Sequence, residues 1–86
     1  MRKYEYIEHI IKNYFDNKDF TLSDIRIFIR DEKRKDFDVS YLSKLFKQLL
    51  DKNILKLVSI EDNGNTLFPK KYYRLVDKNK WDKVFL

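Results

Sequence analysis

The chain has no cysteine, and among its 86 residues it has one glycine, one proline, one histidine and one tryptophan. Without cysteine, disulfide bonds, thiolate zinc sites and thiol chemistry are excluded. No apolar run approaches the roughly 18 residues that a membrane-spanning helix needs. The first residues, 1–5, also lack the apolar stretch of a secretion signal. We therefore expect a cytoplasmic protein without membrane contact, in the host cytoplasm if the source is viral.

The same scarcity argues against catalysis. A metal site usually needs three or four ligands, whereas the single histidine, His9, has only Glu5 and Glu8 nearby on its helix. The segment 16–19 lacks the central glycine and closing glutamate of a calcium loop. Gly64 is the sole glycine, so no glycine-rich loop cradles a phosphate. We expect no enzyme activity, no metal and no cofactor.

Length and charge set further bounds. A chain of this length makes a single domain, residues 1–86, and 43% apolar with 16% aromatic residues can supply its core. Residues 1–36 carry nine basic and eight acidic side chains, whereas residues 37–86 carry ten and six. The net charge of +5 thus divides as +1 and +4. The excess in the second half favours a polyanionic partner there.

Apolar residues recur at helical spacing in three segments, which predicts helices over about residues 3–15, 22–32 and 39–52. Thr21 and Asp38 precede the second and third helices and are suited to cap them. Asn53 falls where the chain must turn left-handed, so the third helix should end there.

Strand-rich sequence follows, and it predicts a hairpin over about residues 54–76. Asn63-Gly64 suits a two-residue type I′ turn, with the second strand running from Thr66 to Val76. Pro69 lacks an N–H and should lie at an edge or a bulge. The tail, residues 77–86, has the spacing of one or two helical turns.

Two segments carry a resemblance to a known class of domain. They are Phe20-Thr-Leu-Ser-Asp-Ile25, which opens the second helix, and Val39-Ser-Tyr-Leu-Ser-Lys-Leu-Phe-Lys-Gln-Leu-Leu-Asp-Lys-Asn-Ile-Leu55. Residues 20–76 resemble the winged helix-turn-helix DNA-binding domains of small archaeal, bacterial and viral transcriptional regulators. The resemblance implies an α+β fold of three helices, a two-stranded β-hairpin wing and a short C-terminal tail or helix. It also implies sequence-preferring binding of double-stranded DNA.

The outer face of the third helix is predicted to read DNA bases. An α-helix fits the major groove, where side chains pointing away from the protein core meet the base edges. The predicted base-reading residues are Ser40, Tyr41, Lys44, Lys47 and Gln48. Glutamine suits adenine, lysine suits guanine or phosphate, and hydroxyls suit either. A merely solvated polar face is the alternative interpretation.

Two basic clusters are predicted to hold the DNA backbone, because lysine and arginine anchor phosphates without reading sequence. The residues are Lys33, Arg34 and Lys35 before the third helix and Lys56, Lys70 and Lys71 on the hairpin. The wing tip, Asn63, Gly64 and Asn65, is a candidate for minor-groove contact. Phosphate would repel Glu61 and Asp62 there, which favours contact through Lys70 and Lys71. A solvated charge run is equally compatible with residues 33–35.

Helix-turn-helix proteins usually bind DNA as two-fold dimers, so we expect a homodimer. The candidate contacts are Tyr4 and Tyr14 on the first helix and Trp81, Val84 and Phe85 in the tail. The alternative is a tail that folds back within one monomer. No small-molecule effector is evident.

Two other functions stay open. Winged helices also serve as protein–protein interaction modules within larger assemblies, and Asp51 together with the acidic hairpin tip is compatible with that role. Binding of RNA or single strands through stacking on Tyr72 and Tyr73 is the third possibility, although their strand setting predicts that at least one of them lies in the core.

Overall fold

Three helices followed by a two-stranded antiparallel hairpin form an α+β fold whose layout matches a winged helix, as the sequence predicted. The computed structural model describes residues 3–33, 35–61, 64, 69–77 and 81, without the side chain of residue 33. The elements are α1 (Lys3–Tyr14), α2 (Leu22–Lys33), α3 (Val39–Asp51), β1 (Leu55–Glu61) and β2 (Lys70–Leu75). None of the helices in this described part has the length and apolar character that crossing a bilayer requires.

A reciprocal cap begins α2. The Thr21 hydroxyl accepts a hydrogen bond from the Asp24 backbone N–H at 3.0 Å, and the Asp24 carboxylate accepts one from the Thr21 N–H at 2.9 Å. Two backbone donors that the helix itself cannot satisfy are thereby paired. The predicted cap at Thr21 is confirmed, with Asp24 as its second half.

Both ends of α3 are set by local hydrogen bonds. The Asp38 carboxylate accepts from the Ser40 N–H at 3.0 Å, which confirms the predicted cap. At the other end Asn53 adopts a φ of 59°. Its N–H donates to the Leu50 carbonyl, and the Ile54 N–H donates to the Leu49 carbonyl. These two bonds form the Schellman motif that ends a helix and turn the chain directly into β1.

The hairpin register differs from the one predicted. The strands pair from Leu55 opposite Leu75 to Glu61 opposite Lys70, which leaves residues 62–69 between them. A two-residue turn at Asn63-Gly64 would have paired residue 61 with residue 66, so that turn is wrong. Burial of Leu55 and Leu75 at the base of the hairpin sets the register instead, because a slipped strand would expose them. Gly64 has a φ of +77°, and Asn63 lies outside the described residues.

A third short segment joins the sheet. Phe20 and Tyr73 exchange two backbone hydrogen bonds, with N···O distances of 2.9 and 2.7 Å. Phe20 lies in the link between α1 and α2 and is completely buried. The bridge fastens the hairpin beside the start of α2, and the sequence pattern did not predict it.

The core lies between the three helices and the base of the hairpin. Its buried side chains are Ile7, Ile10, Ile11, Phe20, Ile25, Ile29, Phe37, Leu42, Leu45, Phe46, Leu49, Ile54, Leu55, Tyr73, Leu75 and Trp81. Aromatic rings meet edge to face at its centre, where Phe46 contacts both Phe20 and Tyr73.

Trp81 belongs to this core and has no solvent-exposed surface. Its assignment as a dimer contact is therefore wrong, because its ring is used within the single chain. The alternative, a tail that folds back on its own monomer, holds for this residue. Tyr4 is half-buried against the core, whereas Tyr14 is 44% exposed. Val84, Phe85 and the predicted tail helix lie outside the described residues.

Candidate nucleic-acid interface

The outward face of α3 is polar and basic. Ser40, Lys44 and Lys47 are exposed, while the apolar stripe on the other side of the helix, including Leu42, Phe46 and Leu49, is buried. Because residues three and four apart are neighbours on a helix, the three exposed side chains form one continuous row. The structure thus brings together three of the five residues predicted to read bases.

The other two predicted base readers, Tyr41 and Gln48, are half-buried at the edges of this row. The Tyr41 ring packs against Phe37 with a centroid distance of 6.4 Å. Burial, with a smaller contribution from nearby Tyr4, raises the pKa of the Tyr41 phenol above its ordinary value of 10.0. Tyr41 therefore stays neutral at physiological pH and keeps a hydroxyl that can donate.

An aromatic cluster supports the start of α3. Tyr6 on α1 meets Phe37 edge to face at 6.0 Å, and Phe37 in turn meets Tyr41. Two ammonium groups lie over its rings: Lys35 is 4.7 Å from the Tyr6 centroid and Lys3 is 5.4 Å from the Tyr41 centroid. These cation–π contacts hold positive charge beside the amino-terminal end of α3.

A groove of about 690 Å³ separates α3 from the hairpin. Three basic residues line it: Lys47 from α3, and Lys70 and Lys71 from β2. Thr21, Leu22 and Ser23 line the same groove from the start of α2, together with Ser43 and Phe46 from α3. Residues that are far apart in the sequence thus form one basic, hydroxyl-bearing channel.

The start of α2 adds hydrogen-bond donors to this channel. The first backbone N–H groups of a helix have no acceptor within the helix, and here they belong to Leu22 and Ser23. The reciprocal cap satisfies the N–H groups of Thr21 and Asp24. The remaining donors and the Ser23 hydroxyl are suited to an anionic oxygen.

The basic side chains at the groove differ from other basic side chains in their ion pairing within the described part of the chain. Ion pairs elsewhere join Lys12 to Glu8, Arg26 to Asp36, Arg30 to Asp31 and Arg74 to Asp19. By contrast, Lys44, Lys47, Lys70 and Lys71 form no ion pair with any described residue. Positive charge without a described acidic partner therefore concentrates on the outer face of α3 and in the adjacent groove.

The two faces of the hairpin differ, which separates Lys56 from the groove. Cross-strand partners share a face of a sheet, so Lys56 lies beside Arg74 and Ser59 beside Tyr72. Lys71 lies opposite Ile60 on the other face, the one that carries buried Tyr73 and Leu75. The structure therefore places Lys71 on the face toward α3 and Lys56 on the opposite face. Lys70, opposite Glu61, shares the face of Lys56 and borders the groove from the end of β2.

The two tyrosines proposed for stacking have other contacts. Tyr73 is 8% exposed, and its ring meets that of Phe46 at 5.1 Å, so it is not available to a base. The Tyr72 hydroxyl donates to the Glu61 carboxylate at 2.9 Å. That hydrogen bond is the largest cause of a raised pKa for the Tyr72 phenol. Burial and the negative charges of Glu61 and Asp24 raise the same pKa by smaller amounts.

Some of the predicted contacts fall outside the described part of the chain. Arg34, Asn63 and Asn65 lie outside the described residues, as does the side chain of Lys33.

The groove also includes Ser23, Ser43 and Pro69, which the sequence prediction did not assign to the interface. Ser43 is one helical turn before Lys47, and this spacing was the available signal. Ser23 becomes a lining residue only because the Phe20–Tyr73 bridge draws β2 toward α2.

Within the described part of the chain no group of three histidine or acidic side chains is arranged to hold a metal ion. His9 instead accompanies Tyr4, Glu5, Glu8, Lys12 and Asn13 on the surface of α1. The Asn13 side chain lies 3.0 Å from the His9 ring nitrogen Nδ1.

Comparison of the chain with protein-family models, curated proteins and solved structures finds no match. The fold class and the arrangement of charges around the groove are therefore the observations that bear on function.

Proposed function

We propose that this protein binds double-stranded DNA with sequence preference and acts as a transcriptional regulator. One observation carries the proposal: the exposed basic row of α3 borders a groove that also holds Lys70 and Lys71 of the hairpin. A helix and a hairpin that share a cationic channel suit a partner with a groove and a flanking line of phosphates. Duplex DNA has both.

In the proposed complex α3 enters the major groove, which is wide enough to admit a helix. Ser40, Tyr41, Lys44, Lys47 and Gln48 are the proposed base readers. Residues at the amino-terminal end of a recognition helix usually reach deepest. Ser40 and Lys44 therefore carry most of the proposed sequence preference, with the Tyr41 hydroxyl beside them.

The backbone contacts come from three places in the proposal. Lys70 and Lys71 hold phosphates from the hairpin side of the groove, and the start of α2 offers backbone N–H groups to an adjacent phosphate, an arrangement that suits anions. Lys33, Arg34 and Lys35 are the proposed contacts before α3. Lys56 faces the other side of the hairpin, so it meets only DNA that wraps around the wing.

Fluorescence anisotropy with labelled duplexes tests the proposal. The purified protein is titrated into a duplex from its own upstream region and into a scrambled duplex of the same composition, at several salt concentrations. We expect tighter binding to the upstream duplex and an affinity that falls steeply with salt, because each neutralised phosphate releases counterions. Equal affinities that both fall with salt would retain DNA binding but remove sequence preference.

A different result would favour the alternative, a protein–protein interaction module. The observation that supports it is a hollow of about 290 Å³ on the side of α2, where exposed Ile27 and half-buried Phe28 are flanked by Asp24, Asp31 and Glu32. This surface is apolar and acidic, so DNA would avoid it while a basic protein segment would fit. Absence of duplex binding near physiological salt would overturn the DNA proposal in favour of this one.

A further inference from the structure

The outer edge of β1 has backbone hydrogen-bonding groups that no described residue takes up. The backbone N–H and C=O of Tyr73 are both hydrogen-bonded to Phe20, so they point away from β1. Tyr73 and its cross-strand partner Leu57 therefore form a non-hydrogen-bonded pair. The N–H and C=O of Leu57 therefore point to the outer edge. No hydrogen bond joins them to any other described residue.

The β-bulge extends this pattern along the strand. The register shifts by one residue between Leu57 and Ser59, so Ile60 stands opposite Lys71. Lys71 is two residues from Tyr73 and has the same backbone orientation, which places Ile60 in a second non-hydrogen-bonded pair. Leu57 and Ile60 thus lie on the same face of the sheet, and the backbone N–H and C=O of both point outward. In a regular strand, residues three apart would lie on opposite faces; the extra residue of the bulge changes this.

The side chains along this edge are apolar and exposed. Leu57 is 44% exposed, Val58 41% and Ile60 53%. Among the residues of β1 only Leu55 is buried. A sheet edge with free backbone groups and apolar side chains is a template for another strand.

We propose that β1 pairs antiparallel with β1 of a second copy, so that two hairpins form one continuous sheet across a two-fold axis. Matching the outward-pointing residues places Leu57 opposite Ile60 of the second copy, and Ile60 opposite its Leu57. The same register places Lys56 opposite Glu61 of the second copy, and Glu61 opposite its Lys56. A two-fold axis requires such self-complementarity.

The charge pattern identifies the occupant as this chain. The two apolar pairs lie on one face of the joined sheet and the two opposite-charge pairs lie on the other. Lys56 forms no ion pair with a described residue of its own chain and is available to the second copy. Lys70 and Lys71 lie on β2, away from the joined edge.

Sedimentation equilibrium of the full chain without DNA tests this dimer, so its failure is separable from failure of DNA binding. We expect a concentration-dependent dimer for the wild type. Lys56→Glu and Glu61→Lys should each weaken dimerisation by about tenfold or more, because each places like charges opposite one another twice. Lys18→Glu, which reverses an exposed charge outside β1, is the matched control and should leave the dimer intact.

Mixing the two variants gives the decisive result. In a heterodimer of Lys56→Glu with Glu61→Lys both cross-strand pairs are again of opposite charge, so two chains that self-associate poorly should bind one another.

Hydrogen exchange adds a backbone measurement: the amides of Leu57 and Ile60 should gain protection with concentration, whereas Ser59, paired toward β2, stays protected throughout. A monomeric wild type, a dimer indifferent to both charge reversals, or a mixture that fails to associate would each overturn the proposal.

Discussion

Phe20 and Tyr73 exchange two backbone hydrogen bonds across 53 positions of sequence, at 2.9 and 2.7 Å. This bridge brings β2 beside the start of α2, and it aligns the Tyr73 ring with Phe46 of α3. The bridge therefore holds together two of the three elements that line the basic groove, and the Tyr73 ring contacts the third, α3.

The first prediction concerns the groove lysines. Lys47→Ala and Lys71→Ala should each weaken duplex binding, and each should reduce the salt slope by about 0.9 if its ammonium group neutralises one phosphate. Anisotropy titrations over a range of salt measure both quantities. Lys18→Ala removes the same charge from an exposed position outside the groove and should have a smaller effect. Wild-type affinity and slope in both groove variants would contradict the proposed interface.

The second prediction separates base reading from phosphate contact. Lys44→Ala should reduce the preference for the upstream duplex over the scrambled one, by about 1–3 kcal/mol if Lys44 contacts a guanine edge. Lys71→Ala should instead weaken both duplexes equally, because phosphate contacts carry no sequence information. Competition titrations with the two duplexes measure the difference. An equal loss on both duplexes for Lys44→Ala would assign that residue to the backbone.

The third prediction concerns the cap of α2. Thr21→Ala removes the hydroxyl that accepts from the Asp24 N–H and should lower the free energy of unfolding by about 1 kcal/mol. Thr21→Ser keeps the hydroxyl and loses only a buried methyl group, so it is the matched control. Urea unfolding followed by circular dichroism measures both. Equal destabilisation by serine and alanine would mean that packing, not capping, matters at this position.

The fourth prediction uses the single tryptophan as a probe. Because Trp81 has no exposed surface, its fluorescence should resist acrylamide quenching in the native protein and become fully accessible on unfolding in urea. Trp81→Ala should cost about 3–5 kcal/mol, as expected for deletion of a large buried ring. Strong quenching in the native state would show that the tail does not pack against the core.

The fifth prediction concerns high pH. Burial raises the pKa of the Tyr73 phenol above its ordinary value of 10.0, so the native state holds this proton more tightly than the unfolded chain does. The corresponding stabilisation is complete below pH 10.0 and is lost as the pH rises through the native pKa. Urea unfolding of wild type and Tyr73→Phe across this range measures it. The stability advantage of the wild type should shrink at high pH, and a constant difference would contradict burial of the phenol.

Much of the fold was predictable because its signals are local. Apolar spacing located all three helices, and Thr21, Asp38 and Asn53 marked their ends through hydrogen bonds that span only a few residues. The exposed row of Ser40, Lys44 and Lys47 followed from helical periodicity alone. A hairpin was predicted correctly, but its register was not. The turn preference of Asn63-Gly64 is local, whereas the pairing of Leu55 with Leu75 depends on burial in the core.

The sequence by itself determined the order and type of the elements, the capped ends of the second and third helices and the polar face of α3, because these depend on neighbours within one or two turns. Only the tertiary structure decided the β-bulge, the bridge between Phe20 and Tyr73, the burial of Trp81 and the convergence of Lys47 with Lys71. Each of these joins residues far apart in the chain, and their free energy comes from burial and pairing that exist only once the elements have packed together.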